Sequence, residues 1–225
     1  MITMLDRDFL EFPPVSSALT DPDGLLAIGG DLSPSRLINA YRRGIFPWYQ
    51  QGQPILWWSP NPRWIIEPAR LHISRSLAKT LRKGRFRVTF NQDFNAVISA
   101  CAQPGKDRDE TWITADIQSA YTELHQLGYA HSVESWHQNQ LVGGLYGIAL
   151  GKVFFGESMF SIQSDASKVA MVYLTEKLNA DGIELIDCQV HTQHLQSLGA
   201  TPISRKDFIT HLDQLITNED ESAWK

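Results

Sequence analysis

The densest group of polar residues inside an apolar run is Leu185-Ile186-Asp187-Cys188-Gln189-Val190. On a regular strand, alternation sets Asp187 and Gln189 on one face and Ile186 and Cys188 on the other. A carboxylate and an amide buried two residues apart need partners, because an unpaired polar group costs about 1–3 kcal/mol. The two are therefore either a functional pair or a structural hydrogen-bonded one. A second carboxylate, Glu157, lies in Gly156-Glu157-Ser158-Met159-Phe160-Ser161, which reads as a connection between a strand and a helix. There it can grip an ammonium group, cap the following helix or stand as a solvated loop acid.

Other chemistries find less support. Cys188-x-x-His191-x-x-His194 has the residue types of a metal site, but no fourth ligand and no Cys-x-x-Cys accompany it. A thiolate at Cys188 is disfavoured by its apolar neighbours. Gly105-Lys106 continues into Asp107 and Gly151-Lys152 into Val153, so neither is a phosphate loop. The chain has no dinucleotide-binding Gly-x-Gly-x-x-Gly and no Gly-x-Ser-x-Gly nucleophile elbow.

Two features point to an anionic partner. Between Glu67 and Asp93 there is no acid, yet Arg70, Arg75, Lys79, Arg82, Lys83, Arg85 and Arg87 fall there. Acids gather late instead, at Asp213, Glu219, Asp220 and Glu221, so a net charge of −5 conceals a segregation. The basic run is either a phosphate-contacting face or a solvated surface. Trp48, Trp57, Trp58 and Trp112 stand beside turn residues, as base-stacking platforms or as packing.

The elements that must position these groups are legible in outline. Ser33 caps a helix whose apolar face is Leu37, Ile38 and Tyr41, with Pro34 first and Gly44 ending it. Ile73, Leu77 and Leu81 form one helical face, opposite Arg75, Lys79, Arg82 and Lys83. Phe86 to Asn91 alternates as a strand, and Phe94, Val97, Ile98 and Cys101 repeat as a helix. Thr114 caps a helix carrying Ile117, Ala120, Tyr121, Leu124 and Leu127. A hairpin is expected around Gln138-Asn139-Gln140, then a strand from Lys152 to Phe155, a helix from Ala166 to Asn179 and a strand from Ile183 to Val190. A short helix ends at Gly199. This irregular alternation predicts an α/β fold with a mixed sheet and helices on its faces. The turn-rich stretch before Pro62-Arg63 is too small for its own core and reads as a small domain, 1–63, packed on a larger one, 64–225.

With 43% hydrophobic residues the chain can fill a core, yet no run approaches a membrane span. Acids within Met1 to Pro14 argue against a secretory signal, and only two cysteines suit a reducing compartment. The expected location is the cytoplasm.

Several blocks, in order, resemble the leucyl/phenylalanyl-tRNA–protein transferases. They are Gly24-Leu25-Leu26-Ala27-Ile28-Gly29-Gly30-Asp31-Leu32-Ser33-Pro34, Arg43-Gly44-Ile45-Phe46-Pro47-Trp48 and Ile55-Leu56-Trp57-Trp58-Ser59-Pro60. Thr111-Trp112-Ile113-Thr114, Gly143-Gly144-Leu145-Tyr146-Gly147, the Glu157 block and Ile186-Asp187-Cys188-Gln189-Val190 continue the match, which runs from about Phe12 to Phe208. The resemblance implies that the larger domain is similar to the GCN5-related N-acetyltransferase fold. It implies transfer of Leu or Phe, with Met a further candidate, from aminoacyl-tRNA to proteins beginning with Lys or Arg, marking them for N-end-rule degradation. No cofactor and no metal are expected, and a monomer is sufficient for the reaction. Asp187 and Gln189 match the catalytic pair; Glu157 matches a contact to the donor's amino group. Trp48 and Trp112 match residues around the terminal adenosine, and Leu145, Phe154, Leu174 and Ile186 the side-chain pocket. Ser158 joins this substrate-binding set. Arg75, Lys79, Arg82, Lys83 and Arg85 align with a tRNA-contacting surface. The coenzyme A loop of acetyltransferases is missing, since Gln196-x-x-Gly199-Ala200-Thr201 falls short of it.

The chemistry agrees with that reading. An aminoacyl ester is already activated, so no ATP site is required. An acceptor α-amine with a pKa of about 7.7–8.0 is partly neutral at working pH. The expected mechanism has the Gln189 carbonyl accept a hydrogen bond from the attacking amine, while Asp187 orients that amide and enriches its oxygen. Alternative readings are an acyl-CoA N-acyltransferase of the same fold, which the missing loop opposes, and a tRNA-binding protein without catalysis.

Overall fold

The computed structural model describes residues 2–103, 111–217 and 224. Gly105-Lys106-Asp107 and the acids Glu219, Asp220 and Glu221 lie outside the described residues. The first half contains β1 (Thr3–Leu5), β2 (Leu25–Gly29), α1 (Pro34–Arg42), β3 (Phe46–Pro47), β4 (Leu56–Trp58) and β5 (Arg63–Ile66). It continues with α2 (Arg75–Arg82), β6 (Arg87–Phe90), α3 (Phe94–Cys101) and α4 (Ala115–Gln126). Then follow β7 (Ala130–His137), β8 (Gln140–Leu150), β9 (Val153–Ser161), α5 (Ala166–Asp181) and β10 (Leu185–Gln189). The chain finishes with α6 (Gln193–Ser197), β11 (Thr201–Ile203) and α7 (Arg205–Leu215).

Local chemistry explains most of these boundaries. Side chains of Ser74, Asp93 and Thr114 accept from the backbone N–H three residues on, starting α2, α3 and α4. Ser33 stands at the start of α1, but its side chain makes no capping bond, so Pro34 sets that boundary. Ile73 precedes α2 and is 42% exposed, leaving Leu77 as the buried anchor of its face. Gln138 and Asn139 both take positive φ, the geometry of a two-residue hairpin turn, and join β7 to β8.

The sheets give the mixed α/β fold that the alternation predicts. Among the described residues, seven strands run in the order β11-β5-β10-β9-β8-β7-β6, and four form a smaller sheet, β1-β2-β4-β3. The β9–β10 pair is parallel, and α5 makes the crossover; the other pairs of the large sheet are antiparallel. One face of that sheet packs on α5 through Leu145, Phe154, Val169, Leu174, Leu178 and Ile186. The other packs on α3, α4 and α7 through Val97, Tyr121, Phe155 and Phe208, and this core runs on into Leu26, Leu37 and Trp57 around the small sheet. The chain leaves the small sheet at Trp58 and enters the large one at Arg63. Among the described residues, no helix is long and apolar enough to cross a membrane.

Candidate active site

Strands β9 and β10 separate. Their pairing ends at Asp187 with Phe155, although β9 continues to Ser161 and β10 to Gln189. The gap opens a cavity of about 650 Å³. Every residue expected to act on substrates lines it: Asp187, Gln189, Glu157, Ser158, Trp48, Trp112, Leu145, Phe154, Leu174 and Ile186. Met159 and Met171 add to the apolar wall. Trp48 is 47% exposed and holds its place against Trp58, whose Nε1 donates to the Trp48 carbonyl at 2.7 Å. Trp57, by contrast, is core: it is fully buried, and its Nε1 donates to the Gly29 carbonyl at 2.9 Å.

Glu157 departs from the expected connection. It lies within β9, at an irregularity where Gly147 pairs with Gly156 and Tyr146 with Ser158, so Glu157 is the extra residue. The Tyr41 hydroxyl donates to Oε1 at 2.7 Å, the Tyr121 hydroxyl to Oε2 at 3.2 Å, and Gln189 Nε2 to Oε1 at 2.8 Å. The Tyr41 and Tyr121 hydroxyls also touch each other; each has a single proton, which it shares between that contact and Glu157. Burial first and the nearby Asp187 charge second raise the Glu157 carboxyl to about 7, against the three donated hydrogen bonds. Burial and the Glu157 charge raise both tyrosines well above their ordinary range, so they stay neutral donors.

Asp187 is held by Arg63. Arg63 Nε donates to Oδ1 at 2.7 Å and Nη2 to Oδ2 at 2.6 Å, with both side chains out of water. Arg63 Nη1 also donates to the Gly44 carbonyl at 3.1 Å, and its guanidinium lies 4.9 Å from the Phe46 ring and 4.6 Å from the Phe208 ring. Asp187 meets Gln189 through the backbone: the Gln189 N–H donates to Oδ1 at 2.9 Å. The expected enrichment of the Gln189 amide oxygen by Asp187 therefore lacks its contact. The side-chain amide answers to Glu157 instead.

The expected strand alternation also fails at this point. Asp187 pairs with Ile65 and Gln189 with Trp64, leaving Cys188 as the extra residue of a bulge. Gln189 has φ +61°, and the Val190 N–H donates to the Cys188 carbonyl at 2.7 Å, closing a γ-turn around Gln189. The turn brings the Gln189 amide to Glu157, which a regular strand would not do.

Cys188 is buried, and burial pushes its thiol well above the ordinary range, so it is no ready nucleophile. Among the described residues, no three His, Cys, Asp or Glu side chains converge as metal ligands. His191 instead packs on Trp64 and meets Gln196, and His194 lines the cavity. The basic residues Arg75, Lys79, Arg82, Lys83 and Arg85 are exposed, apart from the cavity lining.

Sequence reasoning missed Arg63, Tyr41 and Tyr121. Arg63 fell at an expected domain boundary, and the tyrosines on apolar helix faces. A buried Asp187 demands a cation, and that was the available signal for Arg63.

A buried carboxylate and amide beside an apolar cavity suit an enzyme that seats an apolar group and holds polar groups next to it. Comparison with known proteins gives the particular family. The family model described as leucyl/phenylalanyl-tRNA protein transferase matches residues 65–213, and that of its N-terminal domain matches residues 30–61. A leucyl/phenylalanyl-tRNA–protein transferase of Pseudomonas syringae pv. syringae is 58% identical over 224 residues, covering all of this chain and 98% of the relative. One from Pseudomonas putida is 57% identical over 225 residues, covering all of both chains. The chain belongs to the leucyl/phenylalanyl-tRNA–protein transferase family. Among solved structures it is similar to a GCN5-related N-acetyltransferase from Kribbella flavida, with TM-score 0.40 and 13% identity over 76% of this chain and 61% of the other. L-PGS from Bacillus licheniformis has TM-score 0.41 and 9% identity over 75% and 54%.

Proposed function

We propose that this enzyme moves Leu or Phe from aminoacyl-tRNA to the α-amino group of proteins beginning with Lys or Arg, marking them for N-end-rule degradation. It acts in the cytoplasm, as a monomer and without a cofactor. The observation that carries the reading is one cavity lined by an apolar pocket, a buried carboxylate–amide pair and two tryptophans. In this reading the chain divides near residue 63 into a small domain and a larger catalytic one, and the change of sheet between Trp58 and Arg63 supports it.

Leu145, Phe154, Leu174 and Ile186 take the donor's side chain; Trp48 and Trp112 flank its terminal adenosine. Glu157 holds the donor's α-ammonium. Its Oε1 already accepts two hydrogen bonds and its Oε2 one, so a lone-pair site on Oε2 is left for that group. Gln189 donates its Nε2 to Glu157 and keeps its carbonyl oxygen for the attacking amine of the acceptor. Asp187, fixed by Arg63, holds the γ-turn that presents this amide. As the amide bond forms and the ester bond breaks, one proton passes from the amine to the ribose oxygen, through the neighbouring hydroxyl or a water. Gln189 holds no proton at neutral pH, so its contribution is positioning. The exposed cations of α2 and Arg85 meet tRNA phosphates.

The test is incubation with labelled Leu-tRNA, without ATP, and a peptide beginning with Arg beside one beginning with Ala. Label entering only the Arg peptide, and lost with Asp187→Ala, is the expected result. Equal labelling of both peptides would remove the acceptor rule, and an unchanged single-turnover rate in Gln189→Ala would remove the role given to the amide.

A further inference from the structure

Phe154 forms part of the cavity wall and lies against backbone without a side chain. A Cβ on Gly147 would stand 2.6 Å from both Cε1 and Cζ of the Phe154 ring, so only glycine leaves room for it there. The same ring meets Trp224, at 5.9 Å between centroids and 30° between planes. Trp224 is not part of the cavity lining; it borders a separate groove with Phe90, Tyr173 and Lys177. It therefore supports Phe154 from outside the cavity.

Trp224 is itself held on several sides. It stacks on His131 at 4.2 Å and 9°, meets Phe90 edge-on at 6.1 Å, and has the Lys177 ammonium 4.8 Å from its ring. His131 is buried, and its Nδ1 bonds the Asn91 side chain at 3.1 Å, so it is a fixed partner. Residues of β6, β7 and α5 thus grip an indole whose contact with β9 is a ring of the cavity wall. An aromatic ring with a ring behind it keeps its tilt; without the second ring it has space to swing back.

We propose that Trp224 sets the depth of the donor's side-chain pocket by holding Phe154, as a specificity-determining positioning residue. This rests on the pocket reading given above. A single methylene in an apolar pocket changes discrimination by about 10- to 200-fold, so a small swing of Phe154 is enough to alter donor choice. With Trp224→Ala the pocket deepens, and larger side chains gain relative to Leu.

The experiment compares kcat/KM for Leu-tRNA, Phe-tRNA and a tRNA charged with Trp, with the Arg peptide as acceptor. The proteins are the full-length wild type, Trp224→Ala, Trp224→Phe, Trp224→Leu and the pocket variant Leu145→Phe. We expect Trp224→Ala to shift the Phe-to-Leu ratio about tenfold towards Phe, through KM more than kcat, and to raise transfer of Trp. Trp224→Phe should restore the wild-type ratio and Trp224→Leu fall between. If Leu145→Phe changes the ratio and no Trp224 variant does, the role of Trp224 is overturned and the pocket stands. An equal loss for all donors in the soluble Trp224 variants also overturns it, since support of the fold alone would do that. If Leu145→Phe leaves the ratios unchanged, the pocket reading falls and this proposal falls with it.

Discussion

Burial pushes the Glu157 carboxyl up to about 7 from an ordinary 4.5, so its charge changes within the working range of the enzyme. Between those values the folded chain holds a proton that the unfolded chain has released. The stability from this group is therefore fully present below 4.5 and is lost as pH rises through about 7. The raised value corresponds to about 3 kcal/mol lost by pH 8. Glu157→Gln removes that dependence, so in urea unfolding it should gain on the wild type by about that amount between pH 5 and pH 8. Activity should move oppositely, because the ionised carboxylate holds the donor's ammonium. Wild-type kcat/KM rises with pH through about 7 and again as the acceptor amine deprotonates, at about 7.7–8.0, whereas that of Glu157→Gln stays low and keeps only the second rise. A wild-type profile that falls over this range would remove Glu157 from that role.

Arg63 carries a different kind of weight. Removing it strands the fully buried Asp187 carboxylate, and breaking such a pair costs about 3–5 kcal/mol. Arg63→Ala should lower the urea midpoint strongly and abolish transfer. Arg63→Lys keeps the charge but cannot reproduce the two-point contact or lie equally well between Phe46 and Phe208. Its midpoint should fall between the two. Equal midpoints for Arg63→Lys and wild type would show that charge alone matters there.

At the scale of elements, strand β10 ends in a deliberate irregularity. A non-glycine residue at φ +61° carries about 1–2 kcal/mol of strain, and Gln189 carries it while its amide reaches Glu157. Gln189→Gly relieves that strain and loses one side-chain hydrogen bond, two effects of similar size. The variant should therefore unfold within a few tenths of a kcal/mol of wild type, yet transfer should fall by two orders of magnitude or more. A large loss of stability would show that the turn is not strained. The same feature marks the limit of reading by sequence. Period and capping residues located α2, α3, α4 and α5, because those signals are local. The bulge at Cys188 and the extension of β9 through Glu157 depend on neighbouring strands, which no local pattern encodes. Tyr41 and Tyr121 read as apolar faces because most of each ring is indeed in the core, and only the hydroxyl does site chemistry. α7 went unread although its signals are local, with Ser204 capping it and Phe208 and Leu212 four apart on its buried face; Phe208 also helps enclose Arg63.

At the scale of the whole molecule, the cavity takes one wall from Phe46 and Pro47 of the small sheet and the adjoining Trp48, and the rest from Trp112, the large sheet, α5 and the stretch from Val190 into α6. Arg63 ties the two together, reaching the Gly44 carbonyl on one side and Asp187 on the other. The basic surface is a separate feature, carried on α2, which is anchored through buried Leu77. Arg75, Lys79, Arg82 and Lys83 have no acidic partner among the ion pairs of the described residues, so their charge is open to solvent and to phosphate. This separation allows chemistry and tRNA affinity to be tested apart. Replacing Lys79, Arg82 and Lys83 together by Ala should raise KM for Leu-tRNA. It should also reduce the slope of log affinity against log salt by about 0.7–0.9 for each phosphate no longer neutralised. The same variant should use leucyl-adenosine, which carries the reacting ester and no further phosphates, at the wild-type rate. If the rate with leucyl-adenosine falls as far as the rate with Leu-tRNA, α2 acts by supporting the cavity and not by binding the nucleic acid. If neither rate falls, the tRNA body lies on another face, and the acid-free stretch from Pro68 to Gln92 is only a solvated surface.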